Sequence, residues 1–117
     1  MKKNRKIKLL DEFWAFIPAR SGSKGLKNKN IIKLAGIPLL AHSIIAAKKI
    51  NKIKKIIISS DSKKYLNIAK KYGCNEFHLR SKKNSDDKAS ELSVFKEFID
   101  IRIKNKESLP KYFLHLR

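Results

Sequence analysis

The sequence is poor in the residues that staple, kink or loosen a chain, with one cysteine, three prolines and four glycines in 117 residues. A lone cysteine, Cys74, rules out an internal disulfide and fits a reducing cytoplasm, where we place the chain. Nothing marks Cys74 as a nucleophile, and it reads as a small core or surface residue. No stretch approaches the roughly 18 consecutive apolar residues of a membrane span. The basic start, Met1 to Lys8, has no apolar signal core behind it, because Asp11 and Glu12 interrupt the run. Neither membrane insertion nor secretion is expected. Acidic residues are scarce too: 10 Asp and Glu stand against 29 Lys and Arg, a formal charge of +19. Such a charge attracts polyanions, so nucleic acid is the obvious competing partner. Yet the lysines are spread over nearly every segment, and no recognised binding motif gathers them. Six Phe, three Tyr and one Trp leave few rings for base stacking, and most fall at core-like positions. A small basic nucleic-acid-binding module is kept as the alternative reading.

What is present begins with 42% hydrophobic residues, ordinary for a globular protein and enough for one domain with a modest core. Residues 1–12 read as a basic arm with a short apolar stretch, Ile7 to Leu10. The folded unit is expected over 13–117. Trp14, Ala15, Phe16 and Ile17 form an apolar run that reads as a buried strand, stopped by Pro18.

The residues from Pro18 to Asn30 contain two glycines, two serines, one arginine and three lysines, and no carboxylate. Gly22 and Gly25 permit positive φ and close approach of the backbone to a ligand. Ser21, Ser23 and free N–H groups can donate to oxygens, while Arg20, Lys24, Lys27 and Lys29 supply positive charge. Those are the parts of a phosphate cradle. The spacing fits neither the P-loop pattern nor the dinucleotide fingerprint. From the residues alone, a basic surface loop and a phosphate site at the carboxyl edge of a parallel sheet stand level.

Further along, Ala35-Gly36-Ile37-Pro38 reads as a turn, and Pro38 suits the first turn of a helix. Leu40, Ile44 and Ala47 then recur at helical spacing. His42 lies on this helix and is read as a surface or packing residue sooner than a catalyst. Lys55 to Ser60 is a β-branched run suited to an interior parallel strand. Asp61 and Ser62 can cap the next helix, whose apolar face is Tyr65, Ile68, Ala69 and Tyr72, with Gly73 after its end. Asp61 could instead serve a ligand from the end of its strand. A third strand, Glu76 to Leu79, reaches Arg80. After the polar stretch from Ser81 to Lys88, a helix is expected with Leu92, Phe95, Phe98 and Ile99 inward. Lys104 to Pro110 reads as a loop and Tyr112 to Leu116 as a fourth strand. This alternation of strands and helices argues for a parallel sheet covered on both faces.

The run Ile-Pro-Ala-Arg-Ser-Gly-Ser-Lys-Gly, followed three residues later by Lys-Asn, resembles the signature of the acylneuraminate cytidylyltransferases. That family comprises CMP-sialic acid synthetases and their pseudaminate and legionaminate relatives. Leu34 to Leu39, Ile56 to Ser62, Ala69 to Gly73, and Arg80 with Asp87, Ala89 and Ser90 fall in register with it. The Kdo-type enzymes lack this loop pattern. The resemblance implies a Rossmann-like three-layer α/β/α parallel sheet of the nucleotide-diphospho-sugar transferase type, here truncated. It implies transfer of CMP from CTP to an acidic nonulosonic sugar, with release of pyrophosphate. Arg20, Ser23, Lys24 and Lys29 match the family's phosphate-loop positions, Arg20 and Lys29 with catalytic roles. Asn30 matches its nucleotide-contacting asparagine. Arg80 and Ser90 match positions implicated in cytosine recognition, although Ser81 and Asn84 depart from the usual proline and leucine. Capping of the following helix by Asp87 and Ser90 accounts for those two residues equally well.

The chain stops where the family strand runs into Pro-Thr-Ser-Pro. The resemblance therefore covers an N-terminal half. The sugar-binding residues, the homodimerisation segment and the paired aspartates that hold Mg2+ are expected outside it. Mg2+ is implied as a cofactor of the family, and the chain alone is expected to be inactive.

Overall fold

A computed structural model describes residues 7–22, 28–86 and 88–116 of the chain. Its elements in chain order are β1 (Leu9–Pro18), β2 (Lys33–Leu34), β3 (Ile37–Pro38), α1 (Leu39–Lys48), β4 (Ile53–Ser60), α2 (Lys63–Lys71), β5 (Glu76–Leu79), α3 (Glu91–Lys104) and β6 (Leu109–His115). Short 3₁₀ turns cover Lys29–Ile31 and Lys82–Ser85.

The main sheet has the order β5-β4-β1-β6, and every pairing in it is parallel. β1 lies inside because both of its faces are apolar. Ile17 and Ala19 pack with Ile58, Leu40, Ala41, Ile44, Tyr65 and Ala69 beneath α1 and α2. Trp14 and Phe16 pack with Ile57, Val94 and Phe98 beneath α3. A parallel strand buried on both sides reads as a continuous hydrophobic run, which is how Trp14 to Ile17 reads. Around Phe16, the rings of Phe95, Phe98 and His115 lie 5.1, 5.5 and 5.6 Å away, tying β1, β6 and α3 into one aromatic cluster.

Three expectations need correction. The first strand starts at Leu9, inside the stretch read as a basic arm. Asp11 and Glu12 do not interrupt it, because Glu12 accepts a hydrogen bond from the Trp14 indole at 3.0 Å. β6 likewise starts at Leu109, with Pro110 opposite Leu10 at the outer edge of the sheet, where a missing N–H is tolerated. Leu92 is 76% exposed, and Val94 takes the inward place on α3. Elsewhere the elements follow the sequence. The turn at Ala35 and Gly36 joins β2 to β3 as a hairpin, both residues at positive φ in the manner of a type I′ turn.

The order of the sheet decides where a ligand can sit. From β1 the chain moves outward through β4 to β5, and then returns on the other side of β1 as β6. The point of reversal opens a crevice beyond the carboxyl ends of β1 and β6.

Candidate functional site

The loop after β1 is fastened at both ends of its described part. Asp61, just past β4, accepts hydrogen bonds from Ser21 N through Oδ1 and from Ser21 Oγ through Oδ2, both at 2.8 Å. Ser21 O in turn accepts from Asn28 N at 2.9 Å, closing the loop on itself. Asn28 adopts the left-handed conformation, which asparagine tolerates, and its Oδ1 accepts from the Tyr65 hydroxyl at 2.8 Å. Asn30 Nδ2 donates to Arg20 O at 3.0 Å. Burial works to raise the Asp61 carboxyl, but the two bonds from Ser21 outweigh it and hold it below its usual range.

Asp61 is thus not the cap of α2 but the anchor of the loop. Ser62 is the cap, its Oγ accepting from Tyr65 N at 3.2 Å. The sequence offered two readings of Asp61, and a third is the observed one.

Above this base lies a cavity of about 510 Å³ at the reversal point of the sheet. Phe16, Ile17 and Pro18 bring the end of β1 to it, and His115 the end of β6. Arg20, Lys29 and Asn30 come from the loop, Leu40 and His42 from α1, Arg80 from the end of β5, and Glu91 and Val94 from α3. Four residues singled out from sequence, Arg20, Lys29, Asn30 and Arg80, therefore meet at one cavity. Ser23 and Lys24 lie outside the described residues, as do Gly25, Lys27 and Asp87. Ser90 caps α3, its Oγ accepting from Ser93 N at 2.9 Å, while its neighbours Ala89 and Glu91 line the cavity.

The cavity is cationic on its loop side and apolar at its floor. That combination suits a ligand with a charged tail and a flat, less polar head. α1 adds to it by starting at the cavity with no side-chain cap, so the positive end of its dipole faces the same space. Arg80 is held from behind. Its Nε donates to Ser59 Oγ at 3.1 Å and its Nη2 to Ser59 O at 3.3 Å. Burial lowers its pKa, opposed by the charge of Asp61, and with Arg20 nearby acting in the same direction as burial. Arg20 and Arg80 thus bring two guanidinium groups to the lining of one cavity.

Sequence reasoning passed over His42, His115 and Glu91 as lining residues. His42 Nε2 lies 2.7 Å from Leu34 O and so ties α1 to the β2–β3 hairpin. His115 stands at the carboxyl end of its strand, as Arg80 nearly does, and that position alone could have singled it out.

Comparison with known proteins agrees with this geometry. A family model described as cytidylyltransferase matches residues 14–105, more than half of the chain. The chain is 46% identical over 87 residues to the N-acylneuraminate cytidylyltransferase of Escherichia coli O18:K1:H7, covering 74% of this chain and 20% of that protein. It is 40% identical over 86 residues to the CMP-N,N′-diacetyllegionaminic acid synthase of Campylobacter jejuni, covering 74% and 37%. A pseudaminic acid cytidylyltransferase of the same species is 40% identical over 85 residues, covering 73% and 37%. Among solved structures, a CMP:2-keto-3-deoxy-manno-octonic acid synthetase complexed with CTP superposes with a TM-score of 0.62 at 17% identity. That match covers 77% of this chain and 35% of the other and bears on the fold alone. The chain spans about a third or less of the length of these curated relatives. On the loop motif, the sheet order and these matches together, the chain belongs to the cytidylyltransferase family.

Proposed function

We propose that this chain carries the CTP-binding half of an enzyme that transfers CMP to an acidic nonulosonic sugar. One observation carries the reading: Arg20, Lys29 and Asn30, from the loop after β1, and Arg80, from the end of β5, line one cavity at the reversal point of the sheet. In the proposed reaction the anomeric hydroxyl of the sugar attacks the α-phosphorus of CTP. The bond from that phosphorus to the oxygen it shares with the β-phosphate breaks, pyrophosphate leaves, and the hydroxyl proton passes to solvent. Arg20 can take two phosphate oxygens in its planar fork, and Lys29 places a mobile charge where the leaving group gains its negative charge. Asn30 holds the Arg20 backbone and so sets the place from which that guanidinium reaches. Arg80 reads the cytosine edge from the far side of the cavity. Ser90 Oγ accepts at the helix cap and keeps its own hydrogen to donate, so it stands beside Arg80 as a contact for the base. Ser23 and Lys24 complete the phosphate side by their place in the loop motif.

Among the described residues, no three of His, Cys, Asp and Glu come together as a metal site. Mg2+ at a triphosphate is held by one or two carboxylates together with the phosphates, so no such cluster is required of these residues. On this reading the family's Mg2+ takes its carboxylates from the paired aspartates that the resemblance implies. The resemblance implies the sugar pocket and the dimer contacts in the same way. Among the described residues no helix is long and apolar enough to cross a membrane, and CTP as substrate supports a cytoplasmic setting.

Calorimetric titration with CTP, GTP and a short single-stranded oligonucleotide at about 0.15 M salt tests the reading. Selective CTP binding is expected, abolished by Arg20→Ala. Unchanged CTP affinity in that variant sinks it. Oligonucleotide binding with no preference for CTP, falling steeply with salt, favours the polyanion alternative instead.

A further inference from the structure

Behind the cavity wall runs a line of hydrogen bonds that the nucleotide chemistry above does not use. Ser59 Oγ lies 2.9 Å from His78 Nδ1, and His78 Nε2 lies 2.9 Å from Glu97 Oε1. Glu97 also accepts from Ser81 N at 3.0 Å, from Ser81 Oγ, and from Asn84 Nδ2 at 2.9 Å. Asn84 Oδ1 accepts from Ser93 Oγ at 2.7 Å. Ser59 and His78 are buried, at 0% and 3% exposure, so neither can turn to water for a substitute partner.

The direction of every proton in this line follows from its far end. An ionised carboxylate can only accept, so the hydrogen of the neutral imidazole sits on Nε2. Nδ1 then has a lone pair and nothing to donate, so the Ser59 hydroxyl must donate to it. With its hydrogen committed, the Ser59 oxygen presents lone pairs to Arg80 Nε, which donates at 3.1 Å. Burial keeps His78 neutral against the pull of Glu97, consistent with this assignment. Two of the five N–H groups of Arg80 are thereby held on Ser59, and the guanidinium plane is set at the cavity wall.

We propose that Glu97, acting through the His78 tautomer and the Ser59 hydroxyl, is the positioning residue that aims Arg80 at the nucleotide. The inference rests on the reading of Arg80 as a nucleotide contact. It adds Ser59, His78 and Glu97, which do not line the cavity, as residues on which recognition depends. A network satisfied at every member is rigid. Neutralising its end removes the reason for one tautomer, then the reason for one hydroxyl rotamer, and then the fixed acceptor for Arg80.

The test uses the full chain labelled with 15N, with CTP titrated by calorimetry, in wild type, Glu97→Gln, Ser59→Ala and Arg80→Ala. In the wild type the His78 nitrogens should report the Nε2–H tautomer, and the Arg80 Nε–H should exchange slowly. Glu97→Gln should mix the tautomers, speed that exchange and weaken CTP binding about tenfold, the scale of one charge-assisted hydrogen bond. Ser59→Ala should weaken it similarly with Glu97 intact, and it carries the test if Glu97→Gln does not fold. Loss of CTP binding in Arg80→Ala, with wild-type affinity in both other variants, overturns the relay and leaves the nucleotide reading standing. Wild-type affinity in Arg80→Ala overturns the reading of Arg80 and the relay's function with it.

Discussion

Single side chains decide the shape of this site more than its charge does. Asp61 is the clearest case, since one carboxylate takes both the backbone and the hydroxyl of Ser21 and so anchors the first residue of the loop after Arg20. Asp61→Ala leaves two donors without their acceptor, and we expect about 2 kcal/mol of lost stability, as for hydrogen bonds to a charged group. Denaturant unfolding measures that loss, and CTP affinity should fall with it. Arg20 and Lys29 stood out by their types in a glycine-containing loop without carboxylates, whereas Asn30 and Arg80 stood out only through the family resemblance; all four line one cavity. Asp61 in its real role was not legible, because its partner Ser21 lies on another strand's loop and only the β1–β4 pairing brings them together. His78 and Glu97 were illegible for the same reason. Neither stands in a motif, and their roles arise from the stacking of α3 on β5.

Among the elements, the interior strands were the easiest to read. Ile56 to Ile58 and Trp14 to Ile17 are apolar on both faces, and no other element of this length explains that pattern. Helix faces were read less well. Leu92 fits the periodicity of α3 but falls in its first turn, before the helix has settled on the sheet, and it remains exposed. Val94 and Phe98 do the docking, Phe98 with its ring 5.5 Å from Phe16 and 5.8 Å from His78. Phe98→Ala should cost about 3–5 kcal/mol through lost burial and the cavity left behind. A melting temperature close to that of wild type contradicts this account of how α3 is held. Gly73 ends α2 at φ 95°, a conformation that explains why the helix stops where the sequence said it would.

For the whole molecule, charge and proton linkage act together. An excess of 19 positive charges already strains the compact state, and acid adds to the strain. Burial works to raise Glu97, but bonds from Ser81, Asn84 and His78 prevail and bring it from 4.5 to about 2. A carboxyl with a depressed folded pKa stabilises the fold above its unfolded value, and that contribution disappears as pH falls from 4.5 toward 2. His78 acts in the same direction, because an imidazole buried neutral takes up its proton more readily once the chain unfolds. Stability should therefore fall steeply below pH 4.5, by about 3 kcal/mol from Glu97 alone. Glu97→Gln should flatten that limb in a series of denaturant titrations, and an unchanged slope is the outcome against it. The order of the strands, by contrast, could not be read from one chain, since periodicity describes each strand and says nothing of its neighbours.

That order carries a consequence for how the molecule comes into being. β1 is made before the other strands of its sheet, yet Phe16 finds its partner His115 only after β6 has been made. Trp14 and Phe16 have nothing above them until α3 is made, and no strand on one side until β6 follows it. Pairings this distant in sequence are slow to form, because the entropy of closing the loop is lost before the contacts repay it. The half-made sheet must wait with its stickiest residues uncovered, which makes synthesis the moment of greatest risk from aggregation.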